Sequence, residues 1–234
     1  MTRTQSLRSV MTLILLHSVL GGQICDLKDE VCLLRGAKNT FKSLVETNHV
    51  DPLHVDKITG SIDTFKYEIT NSTLSGLKNC EVLVAKYDLE KKTYEIHLQC
   101  PALIFDYYYE VEGTLGTTSL NGKGLAAIII DNYILKFKGI YSKSISEKDQ
   151  KPRITIQNNN LDATLKGKVA FESKYLISGN KDKVEIAIEY FNSRPEESEK
   201  LFRTYILEKY VPILEKEVNT YLSTITLDEL ISSY

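Results

Sequence analysis

Apolar and polar residues alternate along most of the chain between about 54 and 172, and this pattern predicts β-strands. In one clear case, Phe65, Tyr67 and Ile69 alternate with polar neighbours. The residues of NGKG at 121–124 are typical of a β-turn, and 142–152 reads as a polar turn. Further strands are expected over 103–111, 125–130, 132–141, 153–157, 160–172 and 182–191.

Helical spacing appears at both ends of the chain. Residues 25–48 contain a short amphipathic stretch that ends before Asp51-Pro52, and a longer stripe begins after Pro195. Pro212 lies inside this stripe and is expected to kink a helix of about 25–28 residues, roughly 40 Å long. A curved sheet could cover such a helix. The sequence thus predicts an α+β fold in which a strongly curved antiparallel β-sheet wraps around a long C-terminal α-helix, with a short N-terminal helix.

The four cysteines allow three disulfide pairings. One face of a predicted hairpin carries Cys80, Val82 and Val84, and the facing strand carries Ile96, Leu98 and Cys100. If the residue numbers of each pair sum to 180, Val84 lies opposite Ile96 and Cys80 opposite Cys100, at a distance that a disulfide can bridge. This register predicts a Cys80–Cys100 disulfide, which makes Cys25–Cys32 the other pair. A different register, or longer-range pairing, remains the alternative.

The first 22 residues have the layout of a secretory signal peptide. Arg3 and Arg8 precede an apolar run from Val10 to Leu20, which is too short to span a bilayer. We therefore expect a secreted, extracellular protein with one domain over 23–234 and no stable membrane insertion, with an uncleaved anchor as the alternative. Asn71-Ser72-Thr73 is a glycosylation sequon, whose occupancy the sequence leaves open.

The charge pattern and the motifs argue against several functions. Without the signal peptide, the chain has 27 basic and 31 acidic residues, and its basic residues form no cluster. Nucleic acid is therefore not an expected partner. No nucleophile elbow, zinc-protease motif or phosphate-binding loop is present, and an enzyme is not expected. His49 and His54 flank Asp51 and Asp56, but a solvated loop explains them better than a metal site. No cofactor is expected.

Six segments in order resemble the insect takeout and juvenile-hormone-binding-protein family, a branch of the tubular lipid-binding proteins. Tyr210 stands where that family often has Trp, and Cys80 and Cys100 are additional to its usual N-terminal disulfide. The resemblance implies a hydrophobic tunnel that binds juvenile hormone or other lipids in secreted fluids. The segments are Cys25-x6-Cys32 followed by Leu33, VDPLHVDKI at 50–58, LSGLKNCEV at 74–82, CPALIFDYYYEVEGTL at 100–115, NGKG at 121–124 and YFNSRPEE at 190–197.

We therefore expect a carrier of a small hydrophobic ligand, such as a juvenile hormone-like terpenoid, a fatty acid or another lipid. The alternative is a secreted interaction protein of the same fold, whose tunnel is filled and which acts through a protein partner; any receptor is unknown. A lipid esterase is a weaker third possibility. The predicted lining combines strand faces with the helical stripe. Its members are Val82, Val84, Ile96, Leu98, Phe105, Tyr107, Ile128, Ile130, Phe137, Tyr205 and Leu214.

Overall fold

The structure is a computed structural model that describes residues 23–26, 28–47, 50–88, 90–115, 118–230 and 232–233. The predicted signal peptide lies outside the described residues. The strands are β1 (Gln23–Ile24), β2 (Leu53–Ile62), β3 (Phe65–Ser75), β4 (Glu81–Asp88), β5 (Thr93–Leu115), β6 (Thr118–Ile145), β7 (Pro152–Leu165), β8 (Val169–Gly179) and β9 (Ser232–Ser233). The helices are α1 (Glu30–Thr47), α2 (Lys181–Asn192), α3 (Pro195–Tyr205), α4 (Val211–Leu222) and α5 (Leu227–Leu230), with 3₁₀ turns at Leu77–Asn79 and Leu207–Lys209.

Two long strands, β5 and β6, form the middle of a curved antiparallel sheet. At one end of this pair β4 flanks β5 and β7 flanks β6. At the other end β3 takes over beside β5 and continues the sheet to β2, while β8 takes over beside β6. The sheet therefore has two ends that share only β5 and β6. The predicted fold class is confirmed.

The interior face of β5 and β6 changes between these two ends. On β5 the buried positions are Leu98 and Cys100 and then Leu103 and Phe105, so the alternation shifts by one residue. The shift coincides with Pro101, which has no N–H to donate to the sheet. On β6 the same shift falls between 130 and 133, directly opposite. The sheet consequently turns opposite faces of its two central strands toward the core.

Asn132 accounts for the shift on β6. It is a non-glycine residue with φ of 49°, in the left-handed region that strands do not use. Its side-chain oxygen accepts a hydrogen bond from Gln99 Nε2 at 3.2 Å, and its carbonyl accepts one from the Lys166 N–H at 2.9 Å. These bonds hold a local irregularity in an otherwise regular strand.

Both predicted disulfides are present, with Cα–Cα distances of 5.5 Å for Cys25–Cys32 and 4.1 Å for Cys80–Cys100. The predicted hairpin register holds from the disulfide to Val82, which pairs with Leu98. A β-bulge then shifts the pairing, so that Ala85 lies opposite Ile96. The predicted Val84–Ile96 pair is therefore wrong, because an extra residue in one strand turns the following side chains to the other face.

Two further predictions from local pattern are wrong. Residues 182–191 are helical, because Asn180 caps α2 by accepting a hydrogen bond from the Lys183 N–H at 3.1 Å. The apparent alternation there leaves Ile186 52% exposed. The NGKG segment is not a turn but lies within β6, whose first residue is Thr118.

The C-terminal helical stripe is broken before Pro212 rather than kinked at it. The proline ring would clash with the carbonyl of Glu208 in a continuous α-helix. The chain instead forms the 3₁₀ turn Leu207–Lys209 and starts α4 at Val211, which places Pro212 in the first helical turn. The predicted long helix is thus two helices in series, α3 and α4.

Candidate functional site

A cavity of about 520 Å³ lies at the end of the sheet formed by β4, β5, β6 and β7, beneath α1 and α4. Its wall is mostly apolar. The strands contribute Val82, Tyr94, Ile96, Leu98, Phe137 and Ile156. The helices contribute Phe41, Leu44, Val211, Leu214, Val218 and Leu222.

The sequence periodicities explain how these side chains meet. Tyr94, Ile96 and Leu98 are two apart on β5 and share its inner face. Along α4 the apolar lining residues recur at 211, 214, 218 and 222, three or four apart, which places them on one stripe. The cavity is therefore the space left where a period-2 sheet face meets a helical stripe.

A polar clamp fixes α4 to β7 beside the cavity. The Asn219 side chain accepts from the Ile156 N–H at 2.8 Å and donates to the Ile156 carbonyl at 2.9 Å. One turn earlier, Glu215 accepts a hydrogen bond from Asn159 Nδ2 at 2.7 Å. These contacts satisfy backbone groups of β7 and hold the helix at a set distance from the strand.

Tyrosines are among the polar residues that line the cavity. Burial, reinforced by the Glu215 carboxylate, raises the pKa of Tyr94, which is 6% exposed. Burial and the neighbouring Tyr141 raise the pKa of Tyr87 to about 12. A phenol hydroxyl is already neutral at physiological pH, and these shifts keep both hydroxyls neutral well into the alkaline range. The ionisable side chains of the lining other than the tyrosines are Lys92, Lys143 and Glu215.

The polar end of this cavity is at the turn that joins β4 to β5. Lys92 and, on β6, Ser142 and Lys143 are exposed lining residues at this end. In contrast, Val82 and Leu98 are almost completely buried, close to the Cys80–Cys100 disulfide. The cavity thus runs from a polar mouth to an apolar deep end in the middle of the molecule.

A second, smaller cavity of about 160 Å³ occupies the other end of the sheet, beneath α2 and α3. It is also mostly apolar, and burial raises the pKa of Tyr107 in its wall. Its lining includes Tyr67, Tyr107, Ile128, Phe171, Phe191 and Tyr205.

A wider depression of about 870 Å³ lies between the start of α1 and the β4–β5 hairpin. It is larger than either apolar cavity, but charged side chains such as Lys86, Glu95 and Lys138 line it. Glu95 there is paired with His97 at 2.5 Å and with Lys138 at 3.3 Å. An apolar ligand would gain little from such a surface, so we place the candidate site in the 520 Å³ cavity.

The predicted lining residues divide between the two cavities. Phe105 and Ile130 line neither and lie in the core between them, and Val84 is displaced by the bulge. Five lie in the wall of the larger cavity, namely Val82, Ile96, Leu98, Phe137 and Leu214. Three lie in the wall of the smaller one, namely Tyr107, Ile128 and Tyr205.

Sequence reasoning missed the contributions of α1, of β7 and of most of α4. A signal existed for α1, since Phe41 and Leu44 are three residues apart on its apolar face. It existed for Val211 and Val218 in the helical stripe. For Ile154 and Ile156 on β7, the only signal was the alternation of apolar and polar residues. That alternation does not indicate which end of the sheet a strand joins.

The described residues offer little for other chemistry. Within them, no group of three or more His, Cys, Asp and Glu side chains could hold a metal ion. His54 contacts Asp56 at 3.1 Å, while His49 lies outside the described residues. No helix in the described part of the chain is both long and apolar enough to cross a membrane.

Comparisons with known proteins agree with this architecture. The crystal structure of Epiphyas postvittana Takeout 1 matches with a TM-score of 0.78 and 17% identity over 88% of this chain and 97% of that one, which shows the same fold. A lipopolysaccharide binding protein structure matches at a TM-score of 0.36 and 13% identity over 83% of this chain and 38% of that one, too low to carry an argument. No curated protein sequence matches the chain. The family model for haemolymph juvenile hormone binding protein matches residues 21–232, and the chain belongs to that family.

Proposed function

We propose that this protein is a carrier that binds one small hydrophobic ligand in the 520 Å³ cavity. The observation that carries the proposal is the apolar wall of this cavity. Sites for small molecules typically measure about 300–1,000 Å³ and are lined by apolar and aromatic side chains with a few polar groups. The cavity falls within that range, and its mostly apolar lining includes a few polar side chains.

The binding energy in this proposal comes from desolvation. Each methylene that moves from water into an apolar site contributes about 0.8 kcal/mol. The neutral hydroxyls of Tyr87 and Tyr94 do not oppose this transfer. A juvenile hormone-like terpenoid is the first ligand to test, since the family model bears that hormone's name. A fatty acid or another lipid is the next, with its head group near Lys92 and Lys143 at the mouth.

A protein that acts through a partner is the second candidate function. The second cavity, at about 160 Å³, is smaller than most ligand sites, so only the larger cavity argues against this candidate. If both cavities stayed empty in the secreted protein, the fold would serve only as a scaffold. Mass spectrometry of the lipid fraction of the purified native protein separates the two, because a carrier retains a ligand.

A tryptophan scan tests the site directly, since the chain has no tryptophan of its own. Ile96→Trp fills part of the cavity and should weaken binding of a fluorescent apolar probe at least tenfold. Its matched control is Leu83→Trp, because Leu83 lies on the exposed face of β4, which forms a hairpin with the strand that carries Ile96. If Ile96→Trp folds normally and binds the probe as tightly as wild type, the ligand does not lie in this cavity.

Secretion, glycosylation and the absence of catalysis are parts of the same proposal. Asn71 is exposed at a bulge of β3, where a glycan would not touch either cavity. Expression in a eukaryotic secretory system should release the protein into the medium with a mass increment that Asn71→Gln removes. Purified protein should not hydrolyse juvenile-hormone-like esters. Hydrolysis abolished by a single Ser or His substitution would contradict the carrier function.

A further inference from the structure

We infer that a fixed wall between the two cavities sets the maximum length of the ligand. The wall consists of Phe105, Tyr133, Leu207 and Tyr210, which we call the central wall. The inference rests on the proposed carrier function and adds the residues that determine chain-length specificity. It predicts that the ligand occupies the larger cavity and ends at this wall.

Three separate elements place the central wall between the cavities. On β5, residues 94–98 line the larger cavity and 107–111 line the smaller one, with Phe105 between them. On β6, Phe137 lines the larger cavity and Ile128 the smaller, with Tyr133 between them. The C-terminal helices give the same order, since 198–206 line the smaller cavity and 211–222 the larger. Leu207 and Tyr210 lie between these two sets.

The central wall is closely packed. Each of its four side chains is at most 3% exposed. The Phe105 ring meets the Tyr210 ring edge-on at 5.6 Å between centroids and the Phe202 ring at 5.4 Å. No residue is common to the linings of the two cavities. A ligand in one cavity therefore cannot extend into the other while these rings stay in place.

Hydrogen bonds at two points fix the central wall. The Tyr210 hydroxyl contacts Ser72 Oγ at 2.7 Å, and Ser72 Oγ donates to the Val55 carbonyl at 2.9 Å. The Tyr133 hydroxyl donates to the buried carboxylate of Glu199, which also accepts from Arg203 Nε at 2.9 Å. Moving either tyrosine would leave buried polar groups without partners, so the wall is not a gate that opens easily.

Phe105 is the residue to change, because it has no polar group and its ring touches both Tyr210 and the side of the smaller cavity. Phe105→Ala removes the ring that lies between Tyr210 and the smaller cavity, and the space left should let a ligand chain pass beside Tyr210 from the larger cavity into the smaller one. The test measures displacement of a fluorescent apolar probe by straight-chain primary alcohols of increasing length. Each buried methylene contributes about 0.8 kcal/mol, so affinity should rise about fourfold per carbon until the chain reaches the wall.

In wild type the rise should stop at a defined chain length. In Phe105→Ala it should continue for several more carbons, and in Phe105→Leu for fewer. Leu77→Ala is the matched control, because Leu77 is 2% exposed but lines neither cavity, and it should keep the wild-type limit. Near-ultraviolet circular dichroism checks that each variant is folded. If Phe105→Ala does not fold, the result for Phe105→Leu alone decides the question.

Two results would overturn the inference. One is a wild-type affinity that keeps rising with every carbon. The other is a folded Phe105 variant with the wild-type limit. In both cases the carrier function would survive, because alcohols would still bind. If no alcohol of any length displaced the probe from wild type, the carrier function would fail, and the wall would lose its role with it.

Discussion

At the scale of single residues, tyrosine–glycine pairs across neighbouring strands recur in the sheet. Tyr67 lies opposite Gly60 and Tyr109 opposite Gly124. Tyr94 lies opposite Gly139 in the same way. At each glycine, a Cβ atom would come within about 3 Å of the opposing ring or hydroxyl. The tyrosine ring thus occupies the space that a side chain at the glycine position would fill. The ring also covers backbone that the glycine would otherwise expose.

The pair of Gly60 and Tyr67 permits a clean test, because the three atoms nearest to an added Cβ all belong to the Tyr67 side chain, at 2.2 to 2.9 Å. Gly60→Ala should lower the free energy of unfolding by about 1–3 kcal/mol through overpacking. In a Tyr67→Ala background the same change should cost nothing or stabilise slightly, since alanine restricts the unfolded chain. Urea unfolding of the four proteins measures this coupling. Additive effects would show that the two residues do not share the space.

The candidate site could be predicted from the sequence only where alternation was unbroken. Ile96 and Leu98 lie in the wall of the larger cavity, because that half of β5 is regular. Val84 does not, since a bulge between Val82 and Val84 carries no signature in the residue types themselves. Phe105 and Ile130 have the burial expected of interior residues but line neither cavity. Burial alone does not distinguish lining from filling.

At the scale of elements, Asp51 connects the start of β2 to the 3₁₀ turn before β4. Its two carboxylate oxygens accept hydrogen bonds from the Gly76 N–H at 2.9 Å and the Lys78 N–H at 2.8 Å. Two of the segments that carry the family resemblance, at 50–58 and 74–82, therefore meet at this carboxylate. Their shared role is structural, since neither Asp51 nor Gly76 lines a cavity.

Removing this carboxylate should destabilise the fold. Hydrogen bonds to a charged group contribute about 1.5–3 kcal/mol, so Asp51→Ala should lower the free energy of unfolding by about that amount. Asp51→Asn keeps one acceptor oxygen and should lose less. The control is Asp56→Ala, because Asp56 is exposed and contacts His54 alone in the described residues. Equal losses from Asp51→Ala and Asp56→Ala in thermal unfolding would refute this account.

Apart from residues 121–124 and 182–191, the element pattern was largely predictable in type and order, but the place where the two ends of the sheet exchange faces was not. On β5 and β6 both faces carry apolar residues, so the sequence does not indicate the phase of the alternation, that is, which set of residues points to the core. The phase is set by Pro101 and by the left-handed Asn132, and the effect of each depends on its neighbour in the opposite strand. In α2 the alternation around Ile186 imitates a strand, and the cap at Asn180 decides the outcome. In the sheet, tertiary context overrode local pattern. In α2, a local capping interaction outweighed the alternation.

At the scale of the whole molecule, tyrosine is the main aromatic residue, with 14 copies against seven phenylalanines and no tryptophan. Tyrosines lie in both cavities and in the central wall, and burial raises the pKa of most of those inside. The hydroxyls stay neutral there, which keeps the interior suited to an apolar molecule. The tyrosines with a raised pKa are Tyr67, Tyr87, Tyr94, Tyr107, Tyr109, Tyr133, Tyr141 and Tyr210.

This distribution predicts a loss of stability at alkaline pH. An unfolded tyrosine loses its proton near its ordinary pKa of about 10, whereas Tyr87 in the fold keeps it until about pH 12. Above about pH 10 the unfolded chain therefore binds fewer protons than the folded one, and the free energy of unfolding falls as the pH rises. The contribution of these tyrosines is fully present below about pH 10, and each one protected in the fold removes up to about 1.4 kcal/mol per pH unit above it.

Urea unfolding between about pH 9 and about pH 11, with tyrosine ionisation followed by ultraviolet absorbance, measures this loss. All four cysteines are in disulfides, so no free thiol begins exchange in this range. Tyr87→Phe is the informative variant, because it removes one ionisable hydroxyl from the mouth of the larger cavity and keeps the ring. Its stability should decline less steeply with pH than that of wild type. A wild-type stability that stays level through this range, or a variant with the same slope, would mean that the fold does not protect these hydroxyls from ionisation.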